Sequence, residues 1–238
     1  MPRLAAILTA LFTVTFVASP LLTAPFSGFR ADQLPLPQID PPVQPAGWAF
    51  SIWGLIYGWL LLSAGFGLLR RAEDPGWNAA RRPLLLCLAA GTPWLAVANA
   101  SAIWATVLIF VMAGLAIAAA LAAPRQDRWL LQAPVAILAG WLTAASFVSL
   151  GSTAAGHGVM TGSLGWAAIG ICGALGLGLA VQRALPRAPE YGLTLVWALA
   201  GIIAANLGRH PAIAGLAALG ILAVLAAVLL ARRNAAPA

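Results

Sequence analysis

Apolar runs of about 20 residues recur along this chain, separated by connectors rich in glycine, proline or arginine. About 20 residues of helix cross the roughly 30 Å of hydrocarbon in a bilayer. A backbone in that medium must satisfy its own hydrogen bonds, so each run has to be a helix. Eight such spans are read, over residues 4–22, 47–69, 84–98, 103–123, 130–150, 163–182, 191–207 and 212–231. The third is short, and Thr92-Pro93 within it predicts a bend, because proline removes a backbone donor and clashes with the preceding turn. Fused with the fourth it would make a helix about 60 Å long. Asn99-Ala-Ser101 is therefore read as a tight turn. Hydrophobic residues make up 62% of the 238 and charged ones 8%, against roughly 25% charged in soluble domains. The fold class is an all-α polytopic membrane protein, an eight-helix transmembrane bundle.

Arginine placement tests the count. If the N-terminus is cytoplasmic, eleven arginines (3, 70, 71, 81, 82, 125, 128, 183, 187, 232 and 233) fall on one side, and only Arg30 and Arg209 on the other. One missed span would invert the parity of every later loop, so the positive-inside rule supports eight spans with both termini cytoplasmic. Integral location in a membrane, the bacterial cytoplasmic membrane, follows as the expectation. The net charge of +7 and pI near 11.3 do not indicate nucleic-acid binding, because the arginines sit in pairs beside span ends and form no single basic face. Their partner is the lipid bilayer and its anionic headgroups.

The first apolar run is read as a retained helix in preference to a cleaved signal: it is longer than a usual signal core and carries Pro20. The connector that follows holds Pro25, Pro35, Pro37, Pro41, Pro42 and Pro45, so it is neither helix nor central strand. It is read as an extended cover over the outer mouth, with a lid and a stiff linker both open. Cys87 and Cys172 fall inside spans, where a thiol acts as a small apolar group. His157 and His210 lie in two outer loops, with no third metal ligand that spacing can place.

With these boundaries no ionisable residue stands in the middle of a span. That weakens a proton-coupled mechanism and removes the usual acid, base and nucleophile of an enzyme. Mild polar groups remain inside, among them Ser63, Thr92, Gln132, Thr143, Ser146, Ser149 and Asn206, suited to hydrogen bonds between helices. In the second span Trp53 and Tyr57 share one face, while Gly54 and Gly58 share the adjoining one. Such a glycine stripe permits close approach of another helix, within the chain or in a homodimer.

Three places resemble the TspO/MBR family, the tryptophan-rich sensory proteins related to the mitochondrial translocator protein. Pro45-Ala-Gly-Trp-Ala-Phe-Ser-Ile-Trp-Gly-Leu-Ile-Tyr57 is similar to the signature that opens the family's second helix, although the family has one more residue between the tryptophans and a proline there. Trp94 resembles the end of an Asn-x-x-Trp element, with Gly91 in place of the asparagine. Trp141-Leu-Thr-Ala-Ala-Ser-Phe-Val-Ser149 resembles a fifth-helix pattern, with Ser149 where an asparagine would stand. The resemblance covers about residues 1–150, a TspO-like five-helix unit, and leaves 151–238 as a three-helix C-terminal extension.

The resemblance implies a pocket between helices, near the first connector, for a flat apolar ligand such as a tetrapyrrole or sterol, with porphyrin or haem as candidates. Its ligand-binding residues would be Trp48, Phe50, Trp53, Tyr57, Trp94, Trp141, Thr143 and Ser149. Tryptophan suits the task, joining a rigid apolar face to one N–H donor. A small-molecule transporter without intramembrane charges is the alternative. Trp77, Trp104, Trp129 and Trp166 lie close enough to span ends to serve as interfacial anchors.

Overall fold

The computed structural model describes residues 2–235, and these form nine helices and no strand. They are α1 (Pro2–Leu22), α2 (Ile52–Arg70), α3 (Pro75–Gly91), α4 (Trp94–Ala100), α5 (Ala102–Ala122), α6 (Gln132–Gly156), α7 (Ser163–Ala184), α8 (Pro189–Asn206) and α9 (Pro211–Ala235). α3 and α4 are the two limbs of one span, Pro75–Ala100, broken at Thr92-Pro93 as the proline predicts. Eight rods result, seven of them long and apolar enough to cross a bilayer. α8 is the eighth, and Pro189, Glu190 and Asn206 at its ends dilute its hydropathy. The protein is an all-α integral membrane protein.

α6 is the central post. In its span 78% of the residues are buried, against at most 44% in the other six spans long and apolar enough to cross a bilayer. Small residues make this possible, since backbones approach closely only where side chains are short. A methyl group on Gly140 would stand 2.5 Å from the Tyr191 carbonyl oxygen of α8. One on Gly151 would stand 3.2 Å from the Trp166 carbonyl oxygen of α7. One continuous apolar core runs from Phe16 of α1 through α6 to Val224 and Val228 of α9.

The third span departs from the sequence reading. Its helix starts at Pro75, nine residues before the expected Leu84, capped by Asp74, whose Oδ1 accepts from Trp77 N at 2.9 Å. Arg81 and Arg82 consequently lie inside the helix, and Arg81 is 3% exposed. Its guanidinium donates to the carbonyls of Gly67 and of Arg71 (2.8 Å) where α2 ends. At the next turn α4 continues to Ala100, so the expected tight turn reduces to Ser101, whose Oγ caps α5. Trp77 and Trp166 are corrected as well: both are buried, so neither is an interfacial anchor. Trp104 and Trp129 are exposed, as an anchor must be. Among the described residues, a methyl group on Gly54 or Gly58 would meet nothing outside its own turn of helix within 4 Å, so the stripe faces outward and does not serve packing among them.

At the arginine-rich end Asp127 ties three segments together. Its Oδ2 accepts from Arg71 Nε at 2.7 Å and from Trp77 Nε1 at 3.0 Å. The Arg71 guanidinium, joined by the Trp77 indole, holds the Asp127 carboxyl below the usual carboxylate range. A depressed carboxylate stabilises the fold above its unfolded pKa, and that stability is lost as pH falls through the folded value. Asp127→Asn should therefore lower the melting temperature at pH 7 by about 2–4 °C. The gap to the parent should close as pH falls below about 4. A constant gap from pH 7 to 3, read by thermal unfolding in detergent, would remove the charge from this account.

Candidate functional site

At the opposite end, the connector between α1 and α2 is ordered as a cover. Its first half is tied to the α4–α5 junction: Arg30 Nη1 donates to Asn99 O at 3.2 Å, Gln33 Nε2 to Ala98 O at 2.7 Å, and Asn99 Nδ2 to Ala24 O at 3.2 Å. Phe26 meets Trp94 edge-on at 5.2 Å and Phe29 at 5.7 Å. Gly28 takes φ +127°, and a side chain there would collide with Gln44, whose Nε2 donates to Ser27 O at 2.8 Å. The chain then turns into α2 through a 3₁₀ segment, Gly47–Ser51.

Beneath this cover lies a cavity of about 240 Å³. α1 contributes Phe16 and Ser19, the connector Pro25, Phe26, Phe29 and Pro45, and the start of α2 Phe50, Trp53 and Tyr57. Trp94 and Leu95 come from α4, Ile109 and Met112 from α5, Trp141, Ala145 and Ser149 from α6, and Ala198 and Ile202 from α8. No ionisable acid or base other than the Tyr57 phenol is among the lining residues. Trp53 stacks on Tyr57 at 5.2 Å, while Trp141 stands edge-on to Phe50 at 5.8 Å and to Trp53 at 6.1 Å. The result is an aromatic box, with ring faces and edges set in the geometry that aromatic pairs prefer.

Of the eight residues singled out in the sequence, Phe50, Trp53, Tyr57, Trp94, Trp141 and Ser149 line the cavity. Two stand elsewhere. Trp48, half-exposed in the 3₁₀ segment, sits edge-on to Trp197 of α8 at 4.9 Å. The tight 3₁₀ winding, three residues per turn, separates it from the face that carries Trp53 and Tyr57. Thr143 is fully buried between α6 and α8, with Oγ1 3.0 Å from the Tyr191 hydroxyl. Ser149 touches the cavity but spends its hydroxyl on Thr106 at 2.7 Å. The sequence reading missed Phe16, the two connector phenylalanines and the α8 pair. Phe26 and Phe29, two apolar rings in a proline-rich outer segment, were a usable signal, whereas Ala198 and Ile202 carry none.

The indole N–H groups divide the tryptophans. Trp59, Trp77, Trp94, Trp166 and Trp197 each donate within the chain, Trp94 to Ala105 O at 3.0 Å. Trp48, Trp104 and Trp129 are exposed. Trp53 and Trp141 remain, both on the cavity wall and without an acceptor among the described residues. The Tyr57 hydroxyl is in the same position. The free indole donors of Trp53 and Trp141 suit a ligand that brings oxygen lone pairs.

Fold and site together define a membrane bundle that encloses an aromatic, uncharged cavity under a proline-rich cover. The family model of the TSPO-like proteins matches residues 4–230, and the chain belongs to that family. The match runs past residue 150 through most of α9. No curated protein and no solved structure matches the chain.

Proposed function

We propose that this protein is a membrane receptor or sensor that binds a flat, apolar, acceptor-bearing molecule in the aromatic cavity. A tetrapyrrole such as a porphyrin or haem, or a sterol-like ring system, is the ligand class. The observation that carries the reading is the pair of unpartnered indole donors, Trp53 and Trp141, facing one another edge-on in a pocket without charge. Ligand sites are concave and mostly apolar, with a few placed polar groups, and commonly measure roughly 300–1,000 Å³. At about 240 Å³ the cavity lies just below that range, so a two-ring ligand fits it more readily than a whole macrocycle.

Binding is favoured over passage through the bundle, because the core next to the cavity is closed by fully buried Ile56, Leu60, Leu88, Leu138 and Leu142. The arginine-rich end faces the cytoplasm in this reading, and the covered cavity faces the other side. Residues before 150 supply the aromatic walls, and Ala198 and Ile202 of α8 close them from one side. The outward Gly54/Gly58 stripe leaves room for a second copy of the chain in a homodimer.

The test is equilibrium binding of a porphyrin, a haem and a sterol to the purified full-length protein in lipid, followed by tryptophan fluorescence. Saturable quenching by one member, at one ligand per chain, is expected. Failure of all three to bind would sink the proposal, and flux of a bound member across reconstituted vesicles would replace it with transport.

A further inference from the structure

The cover consists of two halves with different anchors. The first, residues 24–33, is fastened to the α4–α5 junction as described above. The second, residues 42–49, takes its hydrogen bonds to helices beyond α2 from α8 among the described residues, while buried Val43 packs against Gly151 of α6 and Gly170 of α7. Asn206 Nδ2 donates to Pro42 O at 2.8 Å, Ala46 N donates to Gly201 O at 3.0 Å, and Trp197 Nε1 donates to Ala49 O at 2.8 Å. These three attachments are spread along roughly 14 Å of one helix. Gly201 is where the segment presses closest: a methyl group there would lie 2.8 Å from the Cβ atoms of both Pro45 and Ala49. Between the two halves the side-chain link is the Gln44–Ser27 hydrogen bond.

The same helix face also forms the cavity wall. Ala198 and Ile202 line the cavity, four apart and adjacent to Trp197 and Gly201, while Pro45 lines it from the cover side. One helix of the C-terminal extension thus sets both the position of half the cover and the depth of the pocket behind it.

We propose that α8 is the ligand-selecting element of this protein: by clasping residues 42–49 it sets how far the cover opens, and therefore the size and rate of what enters. This rests on the ligand-binding reading. Where the clasp is weakened, the second half of the cover separates from the first at the Gln44–Ser27 seam. A macrocycle then gains more than a two-ring ligand, the smaller guest for a cavity of this volume.

The experiment compares the parent protein in lipid nanodiscs with Trp197→Phe, which keeps an aromatic ring beside Trp48 but loses the N–H together with some ring area, and with Asn206→Ala. Two readouts are taken, hydrogen exchange of the 42–49 amides and stopped-flow association of protoporphyrin and of naphthalene-1-carboxylate. Exchange in 42–49 is expected to rise about tenfold, the effect of losing one anchor on a local opening equilibrium, with the α6 amides unchanged. Protoporphyrin association should accelerate by a similar factor, and that of the naphthalene acid by less than half as much. Unchanged exchange in both variants, or equal acceleration of the two probes, overturns the proposal while leaving ligand binding intact. If neither probe binds the parent protein, the ligand-binding reading fails and this one falls with it. Should Asn206→Ala not fold, Trp197→Phe decides alone.

Discussion

Replacing Trp53 or Trp141 by phenylalanine is expected to weaken a carboxylate-bearing aromatic ligand by about tenfold or more each, while Trp94→Phe leaves its affinity nearly unchanged. All three rings line the cavity, so loss of ring area is the same in kind. What differs is the N–H. Trp94 already donates to Ala105 O at 3.0 Å and has nothing to offer a ligand. Trp53 and Trp141 have no acceptor among the described residues, and a hydrogen bond to a charged acceptor contributes roughly 1.5–3 kcal/mol. Trp94→Phe should instead lower thermal stability, since the Ala105 carbonyl loses a partner. Esterifying the ligand's carboxylate should shrink the Trp53 and Trp141 effects, because a neutral acceptor bond contributes only about 0.5–1.5 kcal/mol. Calorimetric titration of the three variants with the acid and its ester checks this. Equal losses in all three would mean that stacking alone holds the ligand and that the free donors are incidental.

The sequence made the bundle legible because hydrocarbon leaves the backbone so few choices, and it made α2 legible because Trp53 and Tyr57 repeat at helical spacing. It misled at the third span for an identifiable reason. A search for charge-free runs discards Arg81 and Arg82, although Asp74-Pro75 is a good helix start, with an N-cap acceptor followed by proline at the first helical position. Arg81 is tolerated there because the end of α2 presents carbonyls to it, a tertiary fact that no local pattern announces. Trp48 illustrates the opposite problem. The absence of one residue between the tryptophans was visible, but its outcome, a 3₁₀ segment that turns Trp48 toward Trp197, depends on α8 being present. Ala198 and Ile202 were illegible for the same reason, being ordinary apolar residues made into cavity wall by what they face. Of the interior hydroxyls read as links between helices, Ser63 makes no such bond among the described residues, whereas Thr92 reaches Thr15, Ser146 the Ile109 carbonyl, Ser149 Thr106, and Thr143 of α6 reaches Tyr191 of α8.

That α6–α8 contact is also where a single added group should do the most damage to the fold. Gly140 sits in the middle of α6, and a methyl group there would approach the Tyr191 carbonyl oxygen to 2.5 Å and the Thr194 Cβ to 3.0 Å. A backbone oxygen cannot swing aside as a flexible side chain can, so α8 itself has to move. In an isolated helix, replacing glycine would stabilise by up to about 1 kcal/mol. Overpacking a fitted interface costs roughly 1–3 kcal/mol and occasionally more, and for the bulk of valine against a fixed carbonyl the second effect wins. Gly140→Val is expected to lower the melting temperature by about 4–12 °C, taking a net cost of roughly 2–3 kcal/mol at about 2–4 °C per kcal/mol for a chain of this size. Gly54→Ala is the matched control. It adds a methyl group to a helix where, among the described residues, nothing beyond the local backbone lies within 4 Å, so its melting temperature should hold or rise. Because α8 carries Ala198 and Ile202 into the cavity wall, its displacement by Gly140→Val should also cut ligand affinity at temperatures where the variant is still folded. A Gly140→Val protein that melts with the parent would show that α6 and α8 are not held at the separation on which the closed cavity depends.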